Sequence, residues 1–188
     1  MFLLLQFPLT AQNIEFGSGA RFIKMKGEIF SEQYNSYFPV DPDPQLSFNI
    51  TGSGNIPLKY FKDEVVAGIN PNAALSLFYT SIALDIPVFL TLKLGSGSSR
   101  NSEAVLGSGI GVGGQFSFFS TTLNATYAAV NYSTAMLVPV VMGEASITFQ
   151  GYNMYQLRVE FTPVSVQKTN AFQGQISMLT IRLMRAFF

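Results

Sequence analysis

The chain has 188 residues, enough for one domain with a sizeable core. Eleven Lys+Arg balance eleven Asp+Glu, so the basic surplus that would signal a nucleic-acid partner is missing. Cys and His are both absent, which excludes disulfides, Cys nucleophiles, Ser-His-Asp triads, His general bases and the usual zinc sites.

Charged residues make up 12% of the chain, half the soluble-protein average of about 25%. Residues 1–12 (Met-Phe-Leu-Leu-Leu-Gln-Phe-Pro-Leu-Thr-Ala-Gln) look like the later part of a secretory signal peptide, with cleavage near Leu9-Thr10-Ala11-Gln12. That would leave 13–188 as a single domain. The competing reading is a first core strand starting at Phe2.

Period-two alternation then dominates. A first predicted strand, Arg21 to Phe30, sets Ile23, Met25 and Ile29 against Lys24, Lys26 and Glu28. Ser31 to Gln45, with three prolines and the pair Asp41 and Asp43, reads as an extended loop and a solvated turn. Leu46 to Leu58 places Leu46, Phe48, Ile50, Ile56 and Leu58 on one face and Ser47, Asn49, Thr51, Ser53 and Asn55 on the other. Lys59 to Asn72 reads as a long connection through Asn70-Pro71-Asn72, followed by a weaker strand, Ala73 to Ser81. Ile86 to Leu94 alternates again, with Lys93 on its polar side, and Gly95 to Glu103 reads as a flexible tip.

Residues 106 to 119 carry Leu106, Ile110, Val112, Phe116 and Phe118 on one face. The other face is almost bare glycine: Gly107, Gly109, Gly111 and Gly113. Glycine weakens a strand unless something must come close. On the lumen side of a narrow barrel it would make room for long side chains from facing strands. A weaker strand, Leu123 to Tyr132, follows; residues 136 to 142 belong either to the next strand or to a turn. Ala145 to Gly151 puts Glu144 on its polar side, Tyr155 to Thr162 alternates with Arg158 and Glu160 on its polar face, and Gln173 to Phe187 closes the series.

This pattern predicts an all-β, antiparallel up-and-down transmembrane β-barrel of about eight strands, with ten as the second choice. The uncharged stretch from Ala104 to Gly143 is too rich in Gly, Ser and Asn for membrane helices. Sparse charge and aromatics at strand ends favour polar faces turned into a lumen. There Lys24, Lys26, Glu28, Lys93, Glu144, Arg158 and Glu160 would form a paired network. The alternative is a secreted soluble β-sandwich that binds a partner through its loops.

The final residues, Ile181-Arg-Leu-Met-Arg-Ala-Phe-Phe188, resemble the last strand of Gram-negative outer-membrane β-barrel proteins. Counted from Phe187, the lipid face would hold Arg185, Leu183, Ile181 and Leu179; counted from Phe188, it would hold Arg182. Phe7-Pro-Leu-Thr-Ala-Gln12 looks like the processing region of Bacteroidetes-type secreted proteins. The resemblance implies outer-membrane lipid and the barrel-insertion machinery as partners, the latter through the C-terminal strand. Enzymatic barrels of this size rely on His, so the reading is a structural, anchoring or passive small-solute role without catalysis or cofactor.

Overall fold

The computed structural model describes residues 13–31, 35–40, 45–62, 64–77, 81–96, 98, 104–125, 128–149, 153–168 and 172–187. The proposed signal segment 1–12, Asp41, Asp43 and Phe188 lie outside them. Nine strands run in chain order: β1 (Asn13–Ser31), β2 (Ser36–Val40), β3 (Gln45–Lys62), β4 (Val65–Leu77), β5 (Ser81–Gly95), β6 (Leu106–Ala125), β7 (Ala128–Phe149), β8 (Asn153–Lys168) and β9 (Phe172–Phe187).

All neighbours are antiparallel, and β9 returns to β1 from Ile14↔Phe187 to Ile29↔Phe172, so the sheet closes on itself. β2 and β3 share one edge of β1: β2 pairs with Gly27–Ser31 and β3 with Asn13–Ile23. Together they fill one place in the ring, which gives an eight-stranded barrel. A sandwich has two sheets with free edges, so closure overturns the soluble-sandwich alternative. Residues Asn13 and Phe187 lie at what is here named the near end; the Ser31↔Ser36 pair lies at the far end.

Three sequence expectations need correction. β2 occupies Ser36–Val40, inside the stretch read as loop, because its five residues complete the ladder on β1 above β3. The long connection expected at Lys59 to Asn72 is instead the end of β3 and the start of β4. Asn70 and Asn72 point into a polar interior that accepts them, and Pro71 points out. The strand expected at Leu123 to Tyr132 straddles the end of β6 and the start of β7, which pair up to Ala125↔Ala128. With β4 in place, the up-and-down order is regular.

The wall is built inside out. Ile82, Leu84, Ile86, Val88, Leu90, Leu92 and Leu94 all point away from the barrel, while Asp85, Thr91 and Lys93 are buried within it. Leu183 is 61% exposed and its neighbour Arg182 is 1% exposed. At about 3.3 Å per residue and a tilt of about 40°, the outward apolar run spans roughly 20 Å on β1 (Ile14 to Phe22) and roughly 30 Å on β5. These values bracket the apolar band of about 25 Å expected of a membrane barrel.

Beyond Phe22 the pattern inverts. Ile23, Met25 and Ile29 turn inward and are buried, and Lys24, Lys26 and Glu28 stand on the exposed outer face. The interior there is a dry cluster of Ile23, Met25, Ile29, Ala83, Phe119, Met136, Val138, Ile176 and Met178. β4 and β5 reach only the base of this storey, through Ala83, their described residues ending at Leu77 and Ser81, and β2 comes against β6 beyond them. Apolar side chains fill the interior of this far storey.

Candidate functional site

The near storey holds the charges. Alternation points Glu15 of β1, Lys93 of β5, Glu144 of β7 and Arg158 of β8 to one point in the lumen. Lys93 Nζ lies 3.2 Å from Glu15 Oε1 and 2.9 Å from Glu144 Oε1. Arg158 donates from Nη2 to Glu15 Oε2 at 2.6 Å and to Glu144 Oε2 at 3.0 Å. The result is a ring of alternating sign, two cations and two carboxylates, each side chain bridging two partners. The remaining valences are filled from nearby strands. Arg158 Nη1 donates to Asn72 Oδ1 at 2.8 Å, Ser53 Oγ to Glu15 Oε2 at 2.6 Å, and Gln156 Nε2 to Glu15 Oε1 at 3.3 Å.

Two further pairs stack towards the far end. Arg182 pairs with Glu160 and donates from Nε to Asn49 Oδ1 at 3.1 Å. Arg21 pairs with Asp85, whose other oxygen accepts from Ser117 Oγ at 2.6 Å and Gln115 Nε2 at 3.0 Å. Above Arg21 the dry cluster begins. The eight charges of the three groups sum to zero. Buried ions are costly unless paired and hydrogen-bonded, and here each faces an opposite charge.

The glycine face of β6 fits this arrangement, with one change to the expected reason. The room serves the neighbouring strand β7, not facing ones. Gly107, Gly109 and Gly111 pair with Ser146, Glu144 and Met142. A Cβ on Gly109 would stand 2.8 Å from Cγ and Oε1 of Glu144, and one on Gly111 would stand 2.9 Å from Met142 Cγ. Glu144 can lean across β6 towards Lys93 because β6 has no side chain there.

Of the seven residues singled out from sequence, Lys93, Glu144, Arg158 and Glu160 lie in the lumen and Lys24, Lys26 and Glu28 do not. Those three follow a strand that has left the apolar band, where the outward face meets water. Four partners escaped sequence reading: Glu15, Arg21, Asp85 and Arg182. Each stands alone between apolar neighbours, as in Ile14-Glu15-Phe16 and Leu84-Asp85-Ile86. The register of the last strand is now fixed. Arg182 faces in, and Arg185 faces out, where it bonds Asn153 Oδ1 at 2.8 Å and lies 5.0 Å from the centre of the Phe187 ring. This is how a cation rests at the rim of an apolar band.

Among the described residues no group of His, Cys, Asp or Glu could hold a metal ion. The lumen carboxylates are committed to ion pairs. The arrangement ties strands together across the interior.

No protein-family model and no curated protein sequence matches the chain. Solved structures do. Neisserial surface protein A aligns with 93% of this chain and 97% of its own, at 9% identity and a TM-score of 0.53. The N-terminal β-barrel domain of Pseudomonas aeruginosa OprF aligns with 94% of this chain and 98% of its own, at 10% identity and a TM-score of 0.51. The outer membrane enzyme PagL aligns over 92% and 98%, at 9% identity and a TM-score of 0.48. The first two establish the architecture: this chain has the closed, antiparallel, eight-stranded fold of outer-membrane β-barrels.

Proposed function

We propose that the chain is an integral outer-membrane β-barrel of a Gram-negative bacterium, with a structural or anchoring role and no catalysis. One observation carries this reading: an outward belt dominated by Leu, Ile, Val and Phe surrounds a lumen of neutralised ion pairs. Water would reject the first and a bilayer tolerates it; only a closed barrel can present both. The near end faces the periplasm and the far storey, with its charged outer face, projects from the cell. The C-terminal strand addresses the insertion machinery, as in the barrels it resembles. The Bacteroidetes-type origin rests on residues 7–12 alone.

The filled interior argues against free solute passage. Ion clusters occupy the near storey and packed apolar side chains the far one, as expected of an eight-stranded barrel. The test is extraction. The protein should stay with membranes through alkaline and urea washes, dissolve in detergent, and migrate faster on a gel unheated than boiled. Reconstituted in planar bilayers, it should show no stepwise conductance. Release into the wash without detergent would overturn the membrane reading; steady single-channel steps would overturn the closed lumen.

A further inference from the structure

Among the described residues, two ladders are interrupted inside the apolar belt, and both interruptions fall on prolines. β3 and β4 skip pairing between Ser53↔Asn72 and Ile56↔Ile69. β4 and β5 skip it between Pro71↔Val88 and Ala74↔Asp85. The register is unchanged across each break, so Gly54 stands opposite Pro71 and Asn72 opposite Pro87. A proline has no N–H to give to a ladder. Lumen side chains make good part of the loss. Asn70 Nδ2 donates to Gly54 C=O at 2.8 Å, Thr51 Oγ1 to Ala73 C=O at 3.1 Å, and Asn72 Nδ2 to Asn70 C=O at 2.9 Å. The wall is held shut here from within, with irregular backbone at belt depth.

The outer surface is hollow at the same place. Its outward residues are Gly52 and Gly54 on β3 and Pro71 and Ala73 on β4. Two adjoining hollows, of about 390 and about 470 Å³, meet over Phe16, Gly52 and Ala73. Gly52 is the midpoint of the outward run from Leu46 to Leu58. The Phe16 ring is 58% exposed and leans over the edge of the hollow without filling it; a Cβ on Gly52 would lie 3.5 Å from its Cε1. Phe16 and Gly52 are Cα partners, so a knob and a hole stand side by side, one strand apart.

Lipid tails are as apolar as the belt, so inside a bilayer apolar area alone drives nothing together. Close packing at small residues does. Irregular backbone at membrane depth is tolerated where protein covers it. A second copy of this chain meets both conditions. Two copies in one bilayer share an orientation, and a two-fold axis along the bilayer normal joins surfaces of equal depth. Strands about 4.8 Å apart and tilted by about 40° put Phe16 within about 3 Å of the depth of Gly52. An axis between Phe16 and the hollow seats each copy's ring in the other's hollow. The contact is then self-complementary and closes at two copies. The rim, formed by Ile14, Ile50, Leu75 and Leu84, brings no charge into the interface.

We propose that the β1–β3–β4 face around Gly52 is a dimer interface in the plane of the membrane, occupied by a second copy of this chain, with Phe16 of each copy seated over Gly52 and Ala73 of the other. This rests on the membrane reading above.

The chain has no Cys, so a single introduced thiol reports one position. Gly52→Cys places it beside the two-fold axis. Leu157→Cys places it on the outward face of β8, four places round the ring from β4. In phosphatidylcholine vesicles at high lipid excess, with a lipid-permeable oxidant, Gly52→Cys is expected to run as a disulfide dimer and Leu157→Cys as a monomer. A second readout keeps the belt intact. Lys24→Cys, on the exposed outer face of the far storey, is labelled with donor or acceptor dye, and the two batches are mixed before reconstitution. Energy transfer is expected, and Gly52→Leu, which fills the hollow, should abolish it. Where Gly52→Leu fails to fold, judged by gel migration, Phe16→Ala removes the knob and should give the same loss. Equal cross-linking of Gly52→Cys and Leu157→Cys means random collision and overturns the proposal. A Gly52→Cys that stays monomeric means that lipid alone fills the hollow, and overturns it too, as does transfer indifferent to Gly52→Leu and Phe16→Ala. The membrane reading fails separately, if a membrane-impermeant maleimide labels Leu157→Cys in the sealed vesicles.

Discussion

The two halves of β1 follow opposite rules. From Asn13 to Phe22 polar residues face in and apolar ones face out; from Ile23 to Ile29 apolar residues face in and charged ones face out. The strand runs straight through, with the same partner β9 throughout. On the membrane placement proposed above, what changes is the solvent outside: in the first half a bilayer accepts apolar side chains, so the interior collects the polar ones and must neutralise them. In the second half water surrounds the wall, and the hydrophobic effect drives the apolar face inward as in any soluble protein. A β-strand offers only two faces, so a change of solvent on one side inverts both.

Mutations can break this comparison. The largest effect is expected in the near storey. Arg158→Met leaves Glu15 and Glu144 with Lys93 as their shared cation, and should lower stability by about 3–5 kcal/mol. The drop would show in the urea midpoint of unfolding from vesicles, and a change under about 1 kcal/mol would mean the ring is not held as described. In the far storey the corresponding test is a cavity. Ile176→Ala should cost about 2–5 kcal/mol in the same assay, whereas a polar, hydrated far storey would make it nearly silent.

The outer face gives a paired test. Ile181→Arg sits within the apolar band and should cost about 2–4 kcal/mol; Gln175→Arg, on the same face of β9 beyond the band, should cost about 0–1 kcal/mol. Equal costs at the two sites would erase the boundary drawn at Phe22. The smallest effect is expected at the near rim. Arg185→Gln removes the contact with Phe187 and should shift the midpoint by about 0.5–1 kcal/mol, with a loss of several kcal/mol showing that Arg185 is held by more than the rim.

The near storey was legible in the sequence because its alternation is strict and its charges are few. Leu46 to Leu58, 106 to 119 and Tyr155 to Thr162 announce the outward belt, and all three lie in strands with the faces expected. The far storey was not legible. Ile23-Lys24-Met25 and Leu92-Lys93-Leu94 are the same local pattern, a lysine between two apolar residues, yet one lysine points to solvent and the other to the lumen. Period two states that the faces differ; only depth relative to the membrane states which face is which. Asn70-Pro71-Asn72 misled for a related reason: it carries turn chemistry, but inside a polar lumen asparagine is an ordinary inward residue.

The ring around Arg158 also constrains how the molecule can be made. Glu15 lies on the first strand, and the cations that neutralise it are 78 and 143 residues further along. No contiguous fragment short of β8 contains both. Until the chain curls and β1 meets β9, Glu15 is either hydrated or an isolated charge against hydrocarbon, so a half-built sheet has no stable place in the bilayer. Assembly is therefore concerted and of high contact order, and the electrostatics favour a route in which the sheet rounds up while its lumen side is still wet.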